Sequence, residues 1–417
     1  MEQFKNQAMI AGRYFRTFYR WLLVATCVGA ISGLVGSAFH LTVEWVTGVR
    51  TGNSWLIYLM PVGGIVIAAI YRLTKMEGEG TNNIIESIYK GDKVPTLLTP
   101  VIFVSTAITH LVGGSAGREG AALQIGGSIG SKVGRTLGLD EKDMPIVTLC
   151  GMSAVFSALF GTPLTATIFA LEVISVGILH YSAFIPCLVA SMVAYAISRL
   201  LGIAPTRFAV TIEPLSVIMI IRVVILAVIC AVVSIAFCVA VHKTEKFASG
   251  KIKNSFLRGA LGGVIIVALT LILNTHAYNG AGTDIIESAL NKGVCPDWAF
   301  LWKIVFTAVT IGCGFKGGEI VPTFFIGASL GCLVGPILGM PATFAAAIAL
   351  IALFCGAVNC PIASIILSVE MFGSSELIYF ALACGISYML SGYFGLYSSQ
   401  KIIYSKTRAE FINRYAG

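Results

Sequence analysis

Arg118 and Glu119 are the only charged residues of the stretch Gly113–Gly130, GGSAGREGAALQIGGSIG. The uncharged run Val94–Gly117 leads into the pair, and Ala121–Ser131 leads out. A carboxylate within such a run is costly unless it has a partner, a watery cavity or a bound proton. The glycines let the backbone open, which a membrane tolerates only against protein or a water-filled site. Residues after Glu119 can start a helix whose unpaired N–H groups and dipole attract an anion. The chemistry on offer is an intramembrane anion site with a protonatable acid at its edge.

The elements that must position this site are membrane helices. Of 417 residues, 57% are hydrophobic and 12% charged, with mean hydropathy +0.88. A soluble domain carries roughly 25% charged residues. Leu22–Val43, Val94–Gly117, Val173–Ser198, Val223–His242 and Leu377–Gln400 are uncharged runs, each of about the length needed to cross a bilayer. The class is all-α, because barrel strands would alternate. Lys5, Arg13, Arg16 and Arg20 precede the first run, and Lys401, Lys406, Arg408 and Arg414 follow the last. The positive-inside rule then predicts both termini in the cytoplasm and an even number of crossings. These basic clusters set orientation; no nucleic-acid partner is implied. About twenty polar and basic residues precede a first span too long for a cleavable signal. The 11 cysteines show no CxxC pair and read as buried packing thiols.

The chain also repeats itself after about two hundred residues. GEGTNNIIES at Gly78–Ser87 recurs as GAGTDIIES at Gly280–Ser288, and GGSIG at Gly126–Gly130 as GASLG at Gly327–Gly331. GTPLTATIFALE at Gly161–Glu172 recurs as NCPIASIILSVE at Asn359–Glu370. The expected organisation is a cytoplasmic segment 1–20, membrane repeats 21–213 and 214–400, and a cytoplasmic tail 401–417 without a regulatory domain. Duplicated membrane folds place their site between the repeats, on interrupted helices near mid-bilayer. The repeat alone leaves open whether the halves are parallel or inverted.

These motifs resemble the CLC family of anion channels and proton-coupled anion exchangers. GREG at Gly117–Gly120 matches the family's GREGP. GEGT at Gly78–Thr81 stands where the family has GSGIP, and GGEIVP at Gly317–Pro322 where it has GxFxP. Tyr397, in GLYSSQ, matches the family's anion-binding tyrosine. The resemblance implies an inverted repeat with many broken and tilted helices, a homodimer with one pathway per subunit, and a plasma-membrane location. It also implies that Glu119 swings into the anion path and carries the proton. The anion-lining positions carried over are Gly78, Gly80, Thr81, Asn82, Gly117, Arg118, Gly120, Ala121, Ile320, Val321 and Tyr397.

Departures from the family pattern point within it. Chloride-selective members hold a serine where this chain has Glu79, and many chloride exchangers carry an inner proton glutamate where it has Val173. The altered first motif, its missing serine, the absent inner acid and the presence of Glu319 all resemble the fluoride/proton antiporter branch. That branch often has a threonine where this chain has Val321. The expectation is an antiporter exchanging fluoride or another small anion for protons, needing no cofactor or metal and catalysing no reaction. The alternatives are a chloride or broad-anion exchanger and a passive channel. An intramembrane hydrolase lacks HExxH and a paired nucleophile, and a scaffold would not require matched broken helices around an acid.

Other residues divide between roles. Glu79 either points into water or is protonated and donates a hydrogen bond, since an ionised carboxylate facing an anion would repel it. Glu319 is a candidate for proton transfer or for capping, and Arg118 for structure or positive potential. Glu172 and Glu370 recur in both repeats, which suits a structural role, as do Glu86 and Glu287. Asn82, Asn83 and Asn359 are polar linings or satisfied loop amides. His110 is expected to pack. Tyr181–Ser198 and Ile362–Leu390 are candidates for the dimer contact.

Overall fold

The computed structural model describes residues 2–91 and 93–417. Met1, Asp92 and the side chains of Glu2, Gln3, Lys5, Gln7 and Ala8 lie outside the described residues, and with them the expectation placed on Lys5. Among the described residues, two sets of eight α-helices follow one another. The first is α1 (Glu2–Gly52), α2 (Met60–Leu73), α3 (Thr81–Lys90), α4 (Leu98–Val112), α5 (Glu119–Thr136), α6 (Met144–Phe160), α7 (Pro163–Glu172) and α8 (Phe184–Leu200). The second is α9 (Val217–Lys251), α10 (Ser255–Ile272), α11 (Thr283–Lys292), α12 (Ala299–Gly312), α13 (Ile320–Ile337), α14 (Ala342–Val358), α15 (Pro361–Phe372) and α16 (Leu377–Leu390). Among the described residues, six helices are long and apolar enough to cross a membrane. Many others, such as the 10-residue α3 and α11, span only part of a bilayer about 30 Å thick.

The breaks fall where glycine, proline or asparagine stops a helix. α4 ends at Gly113 (φ 91°) and α6 at Gly161 (φ 68°), while α14 ends at Asn359 (φ 58°). Each adopts the left-handed conformation that closes a helix. Pro163 and Pro361 then begin α7 and α15 at the first helical position, where a missing N–H costs nothing.

α6 and α14 form the centre. Every residue of Val147–Phe160 and of Phe344–Val358 is buried, as expected of helices apolar on all sides. α5 packs on α6, and α13 on α14. The GGSIG and GASLG motifs explain how. A Cβ at Gly126 would lie 2.2 Å from the Gly151 carbonyl oxygen, and one at Gly327 would lie 2.6 Å from that of Ala349. These motifs therefore let helices approach backbone to backbone, as small residues do in membranes.

A small sheet ties the ends of the halves together. β1 (Ser175–Val176) pairs in parallel with β2 (Lys401–Tyr404), which pairs antiparallel with β3 (Phe411–Tyr415). Near it, the Tyr89 hydroxyl donates to Ile174 O, and Arg135 in the last turn of α5 donates to Val94 O at 3.1 Å. Arg20 in α1 meets Asp143, just before α6, at 2.7 Å. The basic stretches at both ends of the chain thus lie at the end of the molecule where α5 terminates.

Candidate anion site

The loops before α5 and α13 meet at the middle of the molecule. Gly117 N donates to Gly318 O at 2.6 Å, and Gly318 N to Gly117 O at 2.8 Å, an antiparallel bridge between equivalent residues of the two repeats. Two helix N-termini therefore point at one region from opposite halves. The first residue of α5 is Glu119, and the first of α13 is Ile320. The duplication is chemically asymmetric at this point: an acid on one side, a buried isoleucine on the other.

Glu119 crosses that interface. It is fully buried, and its Oε2 accepts from Arg118 N at 3.0 Å and from Val321 N at 3.2 Å. Val321 lies in the first turn of α13, so the carboxylate occupies the place where that N-terminus would hold a free anion. Oε1 has no hydrogen-bond partner among the described residues. Glycine makes the pose possible: a Cβ at Gly117 would sit 2.1 Å from Glu119 Oε2, and one at Gly318 would sit 2.9 Å from it.

Two cavities approach this bridge. On one side lies a cavity of about 260 Å³ that includes Glu79, Gln124, His242, Lys316, Glu319 and Tyr397 in its wall. The Tyr397 hydroxyl is buried without a partner among the described residues, leaving a donor that an anion can take up. On the other side a cavity of about 490 Å³ reaches Glu119 and Val321, with His40, Glu44, Arg118 and Arg207 around them. α3 opens on the tyrosine side and its repeat partner α11 on the glutamate side. The halves are inverted relative to each other.

The expected site residues sort by these surfaces. Gly78, Glu79, Gly80, Thr81, Asn82, Glu319 and Tyr397 line the tyrosine-side cavity, whereas Arg118, Glu119 and Val321 line the other. Gly117, Gly120, Ala121 and Ile320 are buried and line neither cavity. Thr81 is tied to α5, donating to Gly120 O at 3.3 Å. Asn82 Oδ1 accepts from Ser399 N at 3.1 Å, fixing the Tyr397 loop to α3. Asn83 accepts from Gly80 N at 3.1 Å as part of a helix cap. Glu79 is half-buried in the loop before α3, while Glu319 Oε2 is buried with no hydrogen-bond partner among the described residues.

Other expectations resolve into structure. Asn359 is a satisfied amide: its Nδ2 donates to Phe394 O and to Gln400 Oε1, both at 3.0 Å. It lines neither cavity, because its left-handed backbone turns its side chain toward the chain beyond α16. His110 Nε2 lies 3.2 Å from Gly117 O and is buried. Glu172 accepts from Ile362 N at 3.1 Å and Ala363 N at 2.8 Å, while Glu370 accepts from Leu164 N at 3.1 Å and Thr165 N at 2.8 Å. Each acid caps the other half's short helix.

Gln124, Gly318 and Lys316 are the residues that sequence reasoning did not single out. Gln124 Nε2 donates to Thr81 Oγ1 at 3.1 Å, and its Oε1 is unpartnered among the described residues. Its signal was a lone amide in the apolar run AALQIGG, one turn beyond Gly120.

Residues 63–392 match the family described as voltage gated chloride channel. The chain is 35% identical over 396 residues to the chloride/fluoride channel protein of Pseudomonas syringae pv. tomato, covering 93% of this chain and 87% of that one. It is similar to the crystal structure of a CLC-type fluoride/proton antiporter, with TM-score 0.89 at 29% identity, covering 92% and 98% of the two chains. A slow cyanobacterial Cl−/H+ antiporter shares the fold, with TM-score 0.73 at 20% identity over 89% and 94%.

Proposed function

Since this chain belongs to the voltage gated chloride channel (CLC) family, whose members are channels and transporters, we propose that it expels fluoride in exchange for protons. Glu119 is the gate and proton carrier in this reading. The observation that carries it is the Glu119 carboxylate bonded to Val321 N at the start of α13. A carboxylate there excludes a free anion; a protonated one loses the attraction of the helix N-terminus and can leave. Anion entry and proton movement are thereby linked. Two relatives, a chloride/fluoride channel protein and a fluoride/proton antiporter, support fluoride as the cargo.

A small, strongly hydrated anion must have its water replaced by donors before burial. Val321 N–H and the Tyr397 O–H are two, and rotation of the Gln124 amide would supply a third. Glu319, at the head of α13 on the tyrosine side, is the proposed relay for protons reaching that cavity. Arg118 contributes positive potential on the other side. Gly117, Gly120, Ala121 and Ile320 shape the wall between the cavities, and Gly78, Gly80, Thr81 and Asn82 shape the entrance. Glu79, half-exposed in its loop, fits the solvated alternative.

With the basic ends of the chain in the cytoplasm, the tyrosine-side cavity is cytoplasmic and the glutamate-side cavity external. The membrane is then the cell membrane, the repeats are 21–213 and 214–400, and two subunits associate through Tyr181–Ser198 and Ile362–Leu390.

Reconstituted protein tests this directly. Proteoliposomes loaded with fluoride, chloride or nitrate are followed for anion efflux and internal pH together. Fluoride efflux with opposing proton entry is expected from the wild type, and fluoride movement without protons from Glu119→Gln. Chloride preferred over fluoride would favour the exchanger alternative. Proton transport surviving Glu119→Gln would overturn the assigned gate.

A further inference from the structure

Beside the cavity that holds Tyr397 is another, of about 290 Å³, between α2 and α10. The two share Gly78, Arg258, Gly314 and Lys316 in their walls, so they are neighbouring chambers. Among the described residues, only two tyrosine hydroxyls are buried without a hydrogen-bond partner: Tyr397 in the first chamber and Tyr71 in the second. Tyr71 is 4% exposed, so its unused O–H is a cost to folding unless a ligand takes it up.

The charges around Tyr71 say what that ligand is. Lys253, Arg258 and Lys316 line the chamber with Glu77, while from the adjoining chamber Glu79 acts on Tyr71, and Glu245 and Glu319 act on Lys316. Among the described residues, none of these three cations lies within 4.0 Å of a carboxylate. Lys316 stands 4.2 Å above the Tyr71 ring and reaches both chambers. The first amides of α10 are already capped by Asn254, so side chains, not the helix end, make the site. We propose that this chamber binds the transported anion, held by the Tyr71 hydroxyl and the three cations, before it passes Lys316 to Tyr397. The inference rests on the transport reading above for the identity of its occupant.

Tyr71→Phe removes the hydroxyl and keeps the ring beneath Lys316. Calorimetric titration of the detergent-purified full chain with sodium fluoride, chloride and phosphate is the test. One halide-binding event should weaken about tenfold or more in Tyr71→Phe, the loss of a hydrogen bond to a charged group. A different event should weaken in Tyr397→Phe. In proteoliposomes, Tyr71→Phe should need about tenfold more anion on the cytoplasmic side for half-maximal flux, by the same loss. Its anion-to-proton ratio should stay that of the wild type. Lys253→Gln, an exposed change, should weaken the same event if Tyr71→Phe fails to fold. Titrations of Tyr71→Phe and Lys253→Gln that superimpose on the wild type overturn the station. So does binding that depends on Tyr71 for phosphate alone, which would make the occupant an oxyanion. If the wild type moves no anion yet halide binding still depends on Tyr71, the station stands and the transport reading falls.

Discussion

The pose of Glu119 depends on what its neighbours lack. A side chain as small as a methyl at Gly117 would lie 2.1 Å from Oε2, against the movable end of Glu119 and 3.2 Å from Gly318 O. Gly117→Ala should therefore expel the carboxylate from α13 without unfolding the loop. Loss of its two backbone bonds should reduce protons moved per fluoride by at least about tenfold, read from simultaneous anion and pH traces; an unchanged ratio would mean that the buried pose plays no part in coupling. Ile320 sharpens the same logic. Because the second repeat carries isoleucine where the first carries glutamate, only one of the two facing helix ends competes for its own anion. The glycine setting and the acid were readable in the sequence, but the bond from Val321 was not, since it joins residues 202 apart.

Between elements, carboxylates act as fasteners. Glu172 caps α15, and Glu370 caps α7, each through two backbone amides. Glu370→Ala should cost about 2 kcal/mol, as expected when a charged cap bonded to helix N–H groups is lost. The check is thermal unfolding in detergent, alongside an anion-to-proton ratio that stays at its wild-type value. A shifted ratio with unaltered stability would move Glu370 from scaffold to pathway. Recurrence of these acids in both repeats made their structural role legible. The partner of each was not, because an acid at a helix C-terminus carries no local sign of the distant helix it caps. GGSIG and GASLG tell a similar story: the repeat was visible in the chain, and its use in packing α5 on α6 and α13 on α14 emerged only from the contacts.

Across the whole molecule, residues of both repeats line each of the two cavities that meet Glu119 and Tyr397. Large apolar side chains remain exposed on the proposed dimer face: Met192 55%, Ile362 45% and Ile378 53%. Lipid is as apolar as these side chains, so close packing rather than dehydration must hold two subunits together. Met192→Trp, which adds bulk at α8, should weaken dimerisation by about fivefold or more, since overpacking costs about 1–3 kcal/mol. Counting of labelled subunits in bilayers reads this, with flux per subunit retained. Association equal to wild type would place the contact elsewhere.

What the chain determined by itself was its solvent, its duplication and the location of its single exceptional acid. Long uncharged runs leave few choices in a bilayer, repeated motifs survive as text, and Arg118-Glu119 stands out against glycine and alanine. Tertiary structure decided which of these groups meet. A helix as uniformly apolar as α14 has no face that announces its neighbours, so nothing local assigns Tyr397 and Glu319 to one cavity and Arg118 to the other. Gln124, Tyr71 and Lys316 acquire meaning only there, because an unused hydroxyl or an unpaired cation is a property of surroundings, and those are assembled from segments hundreds of residues apart.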